Sequence, residues 1–279
     1  MSFLGEGKGM EKILLDAGPS ERGWHRIEAA ARCLRLFALR ESGVVPFPES
    51  EPLVRGSLVH IGLAHIYARK QEADSGGDPD KYYTPEDSIL RLAEKNGGMW
   101  LDLVDLCCDM VNAYRLRWGD DRTWKVISVE NELRAKLRGK WLYTQRADLI
   151  VEDDFGKVWI VDHKTAYRIA AKTLSPHILD GQMLGYQMFG RKMFGKKFGG
   201  VVINRITTRP PFQFDRAMLE PAPDALSRFV GNLCEMEEMI QRYEGKPPME
   251  WPGTYSNMVC THKYGKCDAF DQCQWGGAK

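Results

Sequence analysis

Asp148 lies in the segment Arg146-Ala147-Asp148-Leu149-Ile150, and fourteen positions further on comes Asp162-His163-Lys164. Between them Asp153-Asp154-Phe155-Gly156 is a tight-turn sequence, so Trp141 to Val151 and Lys157 to His163 read as adjacent antiparallel strands. That pairing would bring both carboxylates to one end of a sheet. Side chains alternate along a strand, so Asp162 and Lys164 face one side and His163 the other. Converging carboxylates make a hard oxygen site suited to Mg²⁺ or Mn²⁺. Such an ion acidifies water and neutralises charge on a phosphate, while a nearby lysine can hold the attacking water or stabilise an anionic transition state. Phosphodiester hydrolysis needs these functions together. A surface hairpin with ordinary charged ends is the plainer alternative, because Asp-x-Lys alone is a common tripeptide.

The elements that must position these residues can be read coarsely. The first 120 residues are mainly helical: Ser57 to Gln71 carries an apolar stripe, and Pro85 to Trp118 reads as one or two helices broken around Asn96-Gly97-Gly98. Trp124 to Leu137 is β-branched and alternating, so it forms a first strand before the two above, giving a three-stranded antiparallel meander. A helix from about Asp180 to Phe194 follows, then strands at Val201 to Ile206 and near Phe212 to Phe214. Pro223 to Tyr243 is a long amphipathic helix, and Glu244 to Lys279 looks irregular.

The 279 residues are 43% hydrophobic and 28% charged, the composition of an ordinary soluble globular protein. No apolar run approaches the roughly 20 residues of a membrane span, and Met1 to Asp16 is not a signal peptide, so no membrane association and a cytoplasmic location are expected. With 39 basic against 38 acidic residues, the net charge of +1 provides no overall positive field. Nucleic acid would have to be held by local patches, such as Arg134, Lys136, Arg138 and Lys140 or Arg191, Lys192, Lys196 and Lys197. Trp141, Tyr143 and Tyr167 are candidate stacking platforms for single strands.

The acidic pair and its lysine resemble the PD-(D/E)XK nuclease superfamily, with Ala147 in place of the nominal proline. Further elements match its RecB-like branch in order. Arg55-Gly56-Ser57-Leu58-Val59-His60 resembles the Gly-x-x-x-His element, which implies that His60 ligates the metal with Asp148 and Asp162. Gln182-Met183-Leu184-Gly185-Tyr186 resembles the Gln-x-x-x-Tyr element, whose two polar residues share a helix face and would touch substrate or order the Lys164 side. An upstream acid on the first strand is either Glu130 or Glu132, and Glu132 is favoured. In isolation, His60 reads as a packed helical histidine and the Gln-Tyr pair as plain amphipathicity. The resemblance spans about Cys33 to Cys273.

Seven cysteines are unevenly placed. Cys260, Cys267 and Cys273 crowd a tail with few apolar residues, where a metal centre could fix what packing cannot. Cys33 offers a fourth thiolate. Its segment is similar to the N-terminal element of AddB-type and CRISPR-associated nucleases, which implies a [4Fe-4S] cluster held by Cys33, Cys260, Cys267 and Cys273. The gap between the first two late cysteines is six residues where that family usually has two. Zn²⁺ is the alternative, with His262 as another candidate ligand. Cys107, Cys108 and Cys234 sit in helical patterns and read as small buried residues.

These readings combine into an α/β fold with a PD-(D/E)XK restriction-endonuclease-like core, a central mixed sheet flanked by helices. A single RecB-like domain over residues 1–279 is expected, with a helical part at 1–120, a nuclease core at 121–243 and a Cys-rich tail at 244–279. The expected function is a Mg²⁺- or Mn²⁺-dependent deoxyribonuclease, an exonuclease acting on single-stranded DNA or DNA ends. Its partners would be proteins of recombination, repair or CRISPR adaptation. Two rivals are a non-catalytic iron-sulfur subunit that binds nucleic acid and a zinc-stapled scaffold protein.

Overall fold

The computed structural model describes residues 12–119, 121–169, 175–219, 223–262 and 265–276, without the side chains of residues 175, 176, 223 and 262. In chain order the helical part comprises α1 (Trp24–Arg32), α2 (Leu34–Glu41), α3 (Glu51–Asp74), α4 (Pro85–Asn96), α5 (Met99–Asp102) and α6 (Val104–Trp118). Strands β1 (Trp124–Leu137), β2 (Trp141–Asp153) and β3 (Val158–Ala166) follow, then α7 (Ser175–Ile178), α8 (Gly181–Phe194), β4 (Phe198–Thr207), β5 (Phe214–Leu219) and α9 (Pro223–Tyr243). The tail holds α10 (Asn257–Cys260), a small hairpin of β6 (Thr261–His262) and β7 (Gly265–Lys266), and α11 (Phe270–Trp275). It is therefore more ordered than its composition suggests. No helix among the described residues is long and apolar enough to cross a membrane.

The five main strands run in the order β1-β2-β3-β4-β5. The β1–β2 and β2–β3 pairs are antiparallel, forming the expected meander, β3–β4 is parallel and β4–β5 antiparallel. The parallel step needs a crossover, and α8 supplies it. Each hairpin has a local cause. Arg138 and Gly139 adopt positive φ at the β1–β2 turn. At the β2–β3 turn the Asp153 carboxylate accepts from the amides of Phe155 and Lys157 and from the Trp159 indole, each at 2.9 Å. Strand β5 runs from Phe214 to Leu219, beyond the expected segment, and Pro210 and Pro211 occupy the turn before it.

Apolar residues of the two sheet faces form two cores. On one, Ile150, Ile160, Val201 and Ile203 pack with α1, α8 and α9 through Ile27, Tyr186, Phe189 and Phe229. On the other, Leu149, Val161 and Val202 pack with α3, α4 and α6 through Leu58, Ile89 and Met110. Helix α8 lies unusually close to the sheet. A Cβ on Gly190 would sit 2.2 Å from the Phe198 ring, and one on Gly185 only 2.1 Å from Gln145 Oε1. Tyr143 is fully buried and stacks on Phe189 with ring centroids 6.0 Å apart, which corrects its reading as a base-stacking platform.

One buried polar group ties the helical part to the far edge of the sheet. The Arg216 guanidinium from β5 lies between the Trp118 and Trp124 rings, 3.8 and 3.9 Å from their centroids. It donates to both Asp121 oxygens at 2.8 and 2.7 Å and to the Tyr114 hydroxyl at 2.8 Å. Removing one member of a buried ion pair strands the other charge, which typically costs about 3–5 kcal/mol. Arg216→Met should therefore lower the unfolding free energy by that amount in urea denaturation, whereas a loss under about 1 kcal/mol would show that the network carries little.

Candidate active site

The β1–β2 register, set by the Leu137–Trp141 pair beside the turn, carries Val129 opposite Leu149 and Asn131 opposite Ala147. Glu130 is thereby bracketed opposite Asp148. On the next strand Leu149 pairs with Val161, so one step further along the same register brings Asp148 alongside Asp162. Three carboxylates thus lie in a row across β1, β2 and β3. His60 reaches this row from α3: its Nδ1 is 3.4 Å from Asp148 Oδ2. Ligand atoms of His60, Glu130 and Asp148 lie within 4.8 Å of one another. They line a cavity of about 250 Å³ together with Gln182.

The main chain of His163 ties this group together. Its amide donates to Asp148 Oδ2 at 2.7 Å, and its carbonyl lies 2.8 Å from His60 Nε2. Its imidazole points to the other face of the sheet, stacked on Tyr67 and 2.7 Å from Asn204 Nδ2. Asn204 also donates to the Tyr114 hydroxyl at 2.9 Å, so the chain of contacts runs on to Arg216. Burial, reinforced by the neighbouring His60 and Arg216, holds the His163 pKa well below the ordinary value. The ring is neutral, and its Nδ1 accepts from Asn204.

Lys164 projects with Asp162, 2.9 Å from Oδ2 and 3.2 Å from Oδ1. Gln182 Oε1 accepts from the ammonium at 2.8 Å, and Gln182 Nε2 donates to the Tyr186 hydroxyl at 3.1 Å. That hydroxyl lies 2.8 Å from the Arg146 carbonyl and 3.3 Å from Asp162 Oδ1 and shares its proton between them. Gln182 and Tyr186 therefore brace Lys164 and Asp162. Asp180 caps α8 by accepting from the Gln182 amide at 2.7 Å, which fixes the start of the helix that presents both.

Glu132, the favoured upstream acid, is corrected by the register. It stands opposite Arg146, and its carboxylate pairs with Arg134 at 2.7 Å and Arg146 at 3.8 Å. Glu130 takes the inner place. Once the turn is fixed at Arg138-Gly139-Lys140, counting back along the register puts Glu130, not Glu132, across from Asp148. Two further residues at the cavity, His25 and Glu28 on α1, carry no motif. Their spacing of three on one helix is the only trace they leave. The segment Ala17 to Ser20 closes another side, held by Arg146, which pairs with Asp16 at 2.8 Å.

Charge is unevenly tolerated here. Burial raises the Asp148 pKa, with neighbouring Asp162 adding to the effect and His60 opposing it. Burial, followed by repulsion from Asp148, pushes Glu130 well above the usual carboxylate range. For Lys164 burial favours the neutral amine, but Asp162 and Asp148 overcome it and leave the pKa above the ordinary lysine value. Lys164 is therefore a cation. Burial and the nearby carboxylates likewise hold the Tyr186 phenol well above its usual range, in its protonated form.

At the other end of the chain, Cys33, Cys260, Cys267 and Cys273 all line one cavity of about 350 Å³. Cys33 sits between α1 and α2, where burial raises its thiol pKa but hydrogen bonds from Leu36, Thr254 and Arg35 bring it below the ordinary value. The Arg35 guanidinium also lies 3.9 Å from Cys273 Sγ. The His262 side chain, the alternative ligand, lies outside the described residues. Cys107 and Cys234 are buried and Cys108 half-buried, and burial raises the Cys107 and Cys108 thiols to about 12 and about 11.

None of the curated proteins matches this sequence. Among solved structures, a protein from Eubacterium rectale provisionally named an exonuclease aligns over 92% of this chain and 88% of its own, at 13% identity and a TM-score of 0.52. That likeness concerns the fold. A second structure, SSO0001, aligns over 77% of this chain and 87% of its own at 13% identity, with a TM-score of 0.31. The sequence profile of the PD-(D/E)XK nuclease superfamily matches residues 24–274, a span that holds the carboxylate row, Lys164 and all four clustered cysteines. With a mixed five-stranded sheet flanked by helices and acids side by side on adjacent strands, the chain belongs to the PD-(D/E)XK nuclease superfamily.

Proposed function

We propose that this nuclease is a Mg²⁺- or Mn²⁺-dependent deoxyribonuclease that trims single-stranded DNA or DNA ends within a single domain. The observation that carries the reading is the meeting of His60, Glu130 and Asp148 beside the Asp162–Lys164 pair, in the row across β1, β2 and β3. One imidazole and a set of carboxylates make a donor set for a hard divalent cation. Two features fit that role. Glu130 and Asp148 repel each other in a buried place, which a cation relieves, and Asp162 Oδ2 is buried without an aligned hydrogen bond. His60, Asp148 and Asp162 are the ligands in this reading, with Glu130 in the upstream acidic place. A bound cation supplies charge neutralisation at the phosphate and acidifies water.

The protein's own groups do the rest. Lys164, kept protonated by Asp162 and Asp148, serves as a fixed positive charge for a phosphate oxygen or as a hydrogen-bond donor to the attacking water, and not as a base. Gln182 and Tyr186 fix its position without adding charge. Action on ends is supported by the cavity, about 250 Å³, walled by Ala17–Ser20 and α1. A single strand enters such a space more readily than an intact duplex. The provisional name of the Eubacterium rectale protein points the same way. A cytoplasmic setting, with recombination, repair or CRISPR-adaptation proteins as partners, belongs to the same reading.

We read the four-cysteine cavity as the place of a [4Fe-4S] cluster, with a single zinc ion as the rival. Tetrahedral zinc draws its sulfurs to about 3.8 Å apart. Among the described residues no three of these sulfurs lie within 4.8 Å of one another. A multi-iron cluster needs the wider spacing and accepts the amide hydrogen bonds that Cys33 receives.

With labelled single-stranded DNA and Mn²⁺, Asp162→Ala and Lys164→Ala should each cut turnover by about 10²-fold or more. Glu130→Gln should do so too, and Glu132→Gln should stay within a few-fold of the parent; activity that survives the first two removes this site. Stability gives a second check. A buried acid whose folded pKa is raised costs nothing below about pH 4, where it is protonated in both states, and destabilises the fold fully above its folded pKa. Metal-free Glu130→Gln should thus melt higher than the parent at pH 7, the gain shrinking towards pH 4, whereas Mn²⁺ should raise the parent's midpoint more. A variant that melts lower at pH 7 contradicts the strained-carboxylate account. Finally, anaerobically purified protein should be brown and contain about four irons per chain, and Cys33→Ser or Cys267→Ser should lose both colour and iron; a colourless protein with one zinc overturns the cluster.

A further inference from the structure

Tyr167 follows the end of β3, three residues past Lys164, which is about 10 Å along an extended chain. Its ring is 65% exposed. Arg209, on the turn after β4, braces it: the guanidinium lies 4.5 Å from the ring centroid, and Nη1 donates to the Tyr167 hydroxyl at 3.0 Å. Because β3 and β4 are parallel, both residues leave the sheet at the same end as the catalytic lysine, in the register Lys164 to Arg205 and Ala166 to Thr207.

The brace is itself rigid. The Thr208 amide donates to the Ala166 carbonyl at 2.9 Å, tying the two strand ends together. Thr207 closes the turn that carries Arg209: its amide donates to the Gln213 carbonyl at 3.0 Å, and its Oγ1 accepts from the Gln213 amide at 2.8 Å. Pro210 and Pro211 fix the backbone in between. An exposed aromatic ring is thus held still with a cation over it, and Arg168 stands exposed beside it. A platform ordered in advance binds without the cost of immobilising it. Of the three aromatic residues singled out from the sequence, Tyr143 is buried and Trp141 is half-covered, with Lys140 over its ring at 4.4 Å.

We propose that Tyr167 and Arg209 form a stacking platform for single-stranded nucleic acid, which holds a base about three stacked nucleotides from the bond at Lys164. The inference rests on the nuclease reading of the Lys164 site. The base lies on the Tyr167 ring, and the Arg209 and Arg168 charges face the phosphates on either side. Stacking is indifferent to base identity, so the platform selects an unpaired strand and not a sequence. Duplex bases, already stacked on each other, have no free face to offer.

The test is fluorescence anisotropy of the full chain with labelled oligothymidine in Ca²⁺, against a matched oligomer of abasic sites and a blunt duplex. Tyr167→Ala should weaken oligothymidine binding about tenfold, and Tyr167→Phe should remain within about twofold of the parent. Arg209→Ala should give an intermediate loss. The abasic oligomer and the duplex should bind the parent and Tyr167→Ala equally. Unchanged oligothymidine affinity in Tyr167→Ala, or an equal loss on the abasic oligomer, overturns the platform while leaving the active site standing. A parent protein that neither binds nor cleaves single strands overturns both.

Discussion

Three carboxylates and one imidazole brought together in a partly buried cavity set the central constraint on this molecule. Glu130, Asp148 and Asp162 stand side by side across three strands, with Lys164 paired to Asp162 and Arg146 the cation that acts on Glu130. Coulomb repulsion and lost hydration both act against the arrangement, and the fold must supply the energy that holds it. Two well-packed cores on either side of the sheet do so. The strain is useful, because a site that resists its own negative charge gains most from a divalent cation.

The elements around the row serve to keep it in register. A one-residue slip of β1 against β2 would turn Glu130 away from Asp148, so the turn at Arg138-Gly139 and the packing of both faces matter more to the site than any single ligand. His163 shows the same economy from the inside. Its backbone holds Asp148 and His60 while its neutral ring anchors in a network of Asn204, Tyr114 and Arg216. The residue between the acid and the lysine of the motif thus links the cavity to the helical half of the molecule.

What the sequence made legible follows from the range of each signal. Tight turns are local, so the Asp153–Gly156 hairpin and the meander could be read directly, as could the Asp162–Lys164 face. Tyr186 could be placed because its i, i+4 spacing from Gln182 survives in any helix. Glu130 could not be separated from Glu132 by alternation alone, since both share a face. Only the pairing partner distinguishes them, and that depends on a turn where Arg138 takes a conformation unusual for a non-glycine residue. Tyr143 was misread for a related reason: its aromatic character is visible in sequence, but its burial against Phe189 depends on α8 closing on the sheet at Gly185 and Gly190. His25 and Glu28 were illegible because a helix 100 residues before β1 becomes a wall of the cavity only through tertiary packing.

That wall connects the two ends of the chain. Helix α1 carries His25 and Glu28 at the catalytic cavity and ends at Cys33, which faces the tail cysteines. The cysteine-bearing end of the tail packs through a small cluster of Ala269 with Cys33, Leu36, Leu39 and Val45, while Trp251 anchors the start of the tail in the main core beside Phe37. Polar ties add to them, with Arg35 donating to the Trp251 carbonyl at 3.0 Å and Thr254 to the Arg32 carbonyl at 2.7 Å. So small a core gives limited stability by itself. Helix α1 therefore joins the two regions: Cys33 caps its C-terminal end beside the tail cysteines, and His25 and Glu28 nearer its start line the cavity beside the carboxylate row.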